Sequence, residues 1–126
     1  EITLFQISLN KKKGNYINES GRESELQKSM ILGPFFMFKR SILEKIGYFD
    51  EQLLSGADYD FAMRLGRHGN GRHIDHNLGY YLNDRSGLST KVNSLQEIER
   101  TVVELRYGLN PINKSLIEKA KIEYEI

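Results

Sequence analysis

The chain has 126 residues, 39% of them hydrophobic and 28% charged, enough for one domain with its own core. Its 18 Lys and Arg stand against 17 Asp and Glu, so a net charge of +1 offers nucleic acid no basic field. No apolar run approaches the roughly 18 residues of a membrane span, and the lack of cysteine excludes disulfides and thiol chemistry and fits a reducing, cytoplasmic setting.

The first element, Ile2 to Leu9, has two partly apolar faces, as in a strand covered on both sides. A chain that opens at Glu1 in mid-strand, with no leader composition before it, predicts a piece of a longer polypeptide. Residues 10–29 turn polar and read as a long surface loop. The run Lys11-Lys12-Lys13 is read as solvated surface rather than a phosphate or lipid contact. Next comes the most apolar stretch, MILGPFFMF over 30–38, where Gly33-Pro34 delays the strand until about Phe35.

Three Ser-x-x-Glu patterns, at Ser41–Glu44, Ser94–Glu97 and Ser115–Glu118, predict three helix starts, the first helix stopping at Gly47. Residues 58–68 predict another helix, with Phe61, Ala62 and Leu65 on one face, broken by Gly69-Asn70-Gly71. An extended segment over 72–82 follows, with Ile74, His76, Leu78, Tyr80 and Leu82 on one side. In the helix after Ser94, Leu95, Ile98, Val102 and Leu105 form a packing face, while the charge-rich helix over 115–125 reads as peripheral. This order predicts an α/β or α+β fold with a mixed sheet flanked by helices. Residues 1–126 form a single domain or fragment, with a helical tail over 94–126.

Among residues that could carry chemistry, His73 and His76 are three apart on a predicted strand and face opposite ways, so they do not chelate. Phosphate-binding and hydrolase glycine motifs are absent. Asp60 precedes Arg64 by four, which reads as a surface ion pair. Asp58 lies one turn before Phe61 and Ala62, on the inward face. It reads equally as a helix-start residue stabilised by free amides or as a carboxylate held ionised for use as a general base. Asp50 is a turn residue or a carboxylate on a pocket rim.

The run GPFFMFKRSILEKIGYFDEQLLSGADYDFAMRLGRHG resembles the second half of a family 2 glycosyltransferase with the GT-A fold. The matching residues are Gly33, Arg40, Gly47, Phe49, Asp50, Glu51, Asp58, Asp60, Arg64, Leu65 and Gly69, within a motif-bearing region of about 33–90. The resemblance implies inverting transfer of a sugar from a nucleotide-sugar donor to an acceptor hydroxyl, with Asp58 as general base. It places Gly33, Pro34, Asp50 and Asp60 at the substrate, and Asp84 as the counterpart of a metal ligand for Mg²⁺ or Mn²⁺. Ala57 departs from the family's Glu, and the nucleotide-binding half with its Asp-x-Asp motif is missing, so the chain alone is expected to be inactive. The rival expectation is a non-catalytic binding or assembly module. Loop 10–29 is expected to order on acceptor binding, and a second copy of the chain is a candidate partner for the uncovered sheet.

Overall fold

A computed structural model of the chain describes residues 3–7, 35–73 and 94–126. In chain order the elements are strand β1 (Thr3–Ile7), strand β2 (Phe35–Met37), a 3-10 turn (Arg40–Ile42) and helix α1 (Leu43–Ile46). Helix α2 (Ala57–His68), strand β3 (Asn70–His73), helix α3 (Leu95–Arg106), a 3-10 turn (Lys114–Leu116) and helix α4 (Ile117–Tyr124) complete the series. The three strand backbones pair with β1 in the middle, antiparallel to β2 and parallel to β3.

The expected α/β fold does not hold. Residues 36–69 and 94–126 are 63% helical, and the short β2 is the only strand among them. Neither a mixed sheet flanked by helices nor the GT-A arrangement implied by the resemblance describes them. The physical reason is where the apolar side chains go. In the helices the buried hydrophobic residues recur at helical spacing, Phe61 with Leu65 on α2 and Ile98 with Val102 on α3. Apolar residues three and four apart bury together on a helix face. The expected loop over 10–29, the Gly33-Pro34 turn and most of the strand over 72–82 fall outside the described residues.

The chain groups into two compact units, Glu1–Tyr48 with Phe61–Leu82, and Phe49–Asp60 with Asn83–Ile126. The first unit is held by apolar contact. Ile42, Phe61 and Leu65 are buried together, and Phe36, Phe38, Leu43 and Ile46 pack around them. Phe38 lies 5.0 Å from Phe61, tilted at 59°, an arrangement aromatic rings favour. Gly47 ends α1 at φ +76°, and its N–H donates to the Leu43 carbonyl at 2.8 Å, so the predicted stop is observed. Arg64 donates to the Ile46 carbonyl and lies over the Phe61 ring, its guanidinium carbon 5.3 Å from the centroid.

In the second unit α3 and α4 pack together, burying Ile98, Val102 and Val103 with Leu116 and Ala120. Ser94 caps α3 as its spacing predicts, its hydroxyl accepting from the Glu97 N–H at 3.4 Å. The other two predicted caps are not used. Ser41 lies inside the first 3-10 turn, which starts from Lys39 with no side-chain cap. Ser115 lies inside the second, where it donates to Asn113 Oδ1 at 2.6 Å. Nor is α4 wholly peripheral: Ala120 is fully buried, and Tyr124 bonds to a carboxylate on α3.

Candidate functional site

The second unit is organised around a carboxylate. Glu99 is fully buried on α3, three residues before Val102 and four before Val103. Its oxygens accept backbone N–H bonds from Leu54 at 2.9 Å, Ser55 at 2.5 Å and Gly56 at 2.6 Å. The Tyr124 hydroxyl donates a fourth bond at 2.7 Å. Burial alone would push this carboxyl upward, but Tyr124 and the three amides favour the charged form and leave its pKa below the ordinary value. Burial, and then the bond to Glu99, push the Tyr124 phenol well above its usual range. A buried charge is tolerable only when its lone pairs are filled, as they are here. Among the described residues no buried side-chain nitrogen or oxygen lacks a partner.

Gly56 completes the clamp by its small size. A Cβ there would lie 2.9 Å from Glu99 Cβ and 3.3 Å from the Glu99 carbonyl carbon, so only glycine lets the loop approach α3 so closely. The Gly56 carbonyl then accepts from the Tyr59 and Asp60 amides at 3.1 and 3.2 Å, opening the hydrogen-bond ladder of α2. The residue fixed by Glu99 is therefore the residue from which this helix starts.

Asp58 stands two positions further on, in the first turn of α2. It is exposed rather than turned inward, and its Oδ1 accepts from the Tyr59 N–H at 2.8 Å. Lost hydration raises its carboxyl above the ordinary 3.8, against the backbone bonds from Tyr59 and from Asp58 itself, which lower it. The helix start was expected simply to hold this group ionised. The amides do act that way, but desolvation is the larger influence.

Asp50 and Asp60 are brought together by Arg106, at the end of α3. Arg106 Nη1 lies 2.6 Å from Asp50 Oδ2 and 3.7 Å from Asp60 Oδ1. Tyr107 donates to Asp60 Oδ1 at 3.2 Å. Asp60 is buried, not on the surface as its spacing to Arg64 suggested. Asp50 also accepts from the Gln52 N–H at 2.9 Å, so it is a turn residue and an ion-pair partner at once. Of the remaining candidates, Gly33, Pro34 and Asp84 lie outside the described residues.

Glu99, Arg106, Tyr107 and Tyr124 were not singled out by the sequence, although Glu99 left a signal. Its spacing to Val102 and Val103 puts a carboxylate on the apolar face of α3, where one must be paired. Among the described residues no group of three or more His, Cys, Asp or Glu could hold a metal ion. No described helix is long and apolar enough to cross a membrane. No family model, curated protein or solved structure matches the chain.

Proposed function

We propose that the complete protein to which this chain belongs transfers a sugar from a nucleotide-sugar donor to an acceptor hydroxyl, with inversion and with Asp58 as general base. The observation that carries this reading is Asp58 itself: an exposed carboxyl, raised above its ordinary pKa, on a helix start clamped by a buried charge. A carboxylate so raised is a better proton acceptor near neutral pH. It takes the proton of the acceptor hydroxyl as that oxygen bonds to the anomeric carbon, and the nucleoside diphosphate departs with the bonding pair. A Mg²⁺ or Mn²⁺ ion would neutralise the departing diphosphate. The described residues offer no cluster to hold one, and proton removal by Asp58 does not depend on it. The setting proposed for this reaction is the cytoplasm. The resemblance of residues 33–90 to family 2 glycosyltransferases supports the same reading.

One observation favours the rival reading, a non-catalytic binding or assembly module. Asp50 and Asp60, the carboxylates expected at the substrate, are engaged by Arg106 and Tyr107. Asp58→Asn in the complete protein separates the two. Base catalysis predicts transfer reduced by about 10²-fold or more in a normally folded variant. Undiminished transfer gives the site to the rival.

A further inference from the structure

We infer that Glu99 is a positioning residue for Asp58, acting through the loop of Leu54, Ser55 and Gly56. As a statement about activity this rests on the reading of Asp58 as base; as a statement about geometry it does not. The connection runs through three consecutive contacts, with a fourth branching from the Gly56 carbonyl. Glu99 Oε2 accepts from Gly56 N–H at 2.6 Å, and the Gly56 carbonyl accepts from Tyr59 N–H at 3.1 Å. The Tyr59 N–H is shared with Asp58 Oδ1 at 2.8 Å, and the Gly56 carbonyl also takes the Asp60 N–H at 3.2 Å.

The carboxylate has chemistry no neutral side chain repeats. It presents acceptors only, and it faces four donors: three amides and the Tyr124 hydroxyl. An amide in its place keeps the shape but turns an N–H₂ group toward donors. The loop must then release at least one amide, and Asp58, two residues on, gains water. Because lost hydration is the largest influence on the Asp58 carboxyl, its pKa falls when the clamp opens. The charged groups acting on the other side of the clamp are Glu123 and Arg106, which bear on Tyr124 in opposite directions.

Gly56 gives a second way to open the same contact, from the loop side. A Cβ 2.9 Å from Glu99 Cβ pushes the loop off α3 while leaving the carboxylate in place. Two chemically unrelated changes should therefore have one consequence, and combining them should add little.

The test uses the complete protein, labelled for ¹³C NMR titration of the Asp58 carboxyl, with Glu99→Gln, Gly56→Ala, the double variant and Tyr124→Phe. In both single variants the carboxyl is expected to titrate closer to 3.8, with no further fall in the double. Tyr124→Phe leaves the amides bonded and should move it less, which keeps the test alive if the other variants fold poorly. In transfer assays kcat should fall roughly 10-fold or more. The acid limb of the pH profile should move to lower pH, because a base of lower pKa stays deprotonated further down. Loss of stability alone would lower the amplitude without moving that limb. An Asp58 carboxyl titrating as in the parent, while the 54–56 amides exchange faster, overturns the inference. If Asp58→Asn spares transfer but Glu99→Gln still moves the Asp58 titration, the positioning stands and the glycosyltransferase reading falls.

Discussion

The two units reach order by opposite means. The first is an apolar cluster: Ile42, Phe61 and Leu65 exclude water, ringed by Phe36, Phe38, Leu43 and Ile46. The second also buries aliphatic side chains on α3 and α4, but its loops are fixed by carboxylates. Glu99 holds residues 54–56, and Glu104 accepts from the Ile112 N–H at 3.1 Å and from Arg100 at 3.0 Å. Asp60 is buried against Tyr107 and near Arg106. Apolar burial is non-directional and tolerates adjustment, whereas a buried carboxylate holds specific atoms at specific distances. The directional unit contains Asp58, the residue whose placement matters most to the proposed chemistry.

The contrast is sharpest where each unit would break. Phe61→Ala should be the costliest change, about 3–5 kcal/mol, because it empties the centre of the first cluster. Its cost should not vary with pH, which chemical denaturation at pH 4 and pH 7 would check. Glu99→Gln should cost about 3 kcal/mol at pH 7, from amides left without a charged acceptor. Here the cost should depend on pH. The folded pKa of Glu99 lies below the ordinary 4.5, so its contribution is present above that value and fades as pH falls through the folded pKa. Parent and variant should therefore converge in acid; a constant gap between them would make Glu99 a packing residue like Phe61.

Smaller effects refine the picture. Ser94→Ala should cost about 1 kcal/mol through the lost cap on α3, whereas Ser41→Ala, within an uncapped 3-10 turn, should stay within about 0.5 kcal/mol. Equal losses in thermal denaturation would contradict the assignment of one cap and not the other. Asp58→Asn should stabilise slightly at pH 7. The folded pKa of Asp58 is raised, so its favourable contribution exists at low pH and is lost as pH rises through that pKa. A lower midpoint for this variant at pH 7 would mean that the Tyr59 bond outweighs desolvation.

Local sequence determined much of this molecule. The apolar face of α2, the stop at Gly47, the break after His68 and the cap at Ser94 all depend on residues within a turn of one another, so spacing alone reveals them. The same rule misjudged Ser41 and Ser115, because a capping pattern states what a side chain can do, not where the helix begins. It also misjudged Asp60, where spacing of four to Arg64 suggested a surface pair. Its burial depends on Tyr107, which lies 47 positions away. The balance of helix over sheet escaped for a related reason: a short apolar run is compatible with either period until its neighbours are known.

What only tertiary structure decided is which charges go inside. Charged residues default to the surface. The spacing of Glu99 to Val102 and Val103 puts it on an apolar face, but no residue near it in sequence supplies the donors a buried carboxylate needs. Its donors come from residues 43 to 45 positions before it and 25 after it. The same long-range contact explains why Gly56 must be glycine and why Asp58 is held where it is. A buried charge is stable only once all its partners have arrived, and no local pattern of residues records that arrival.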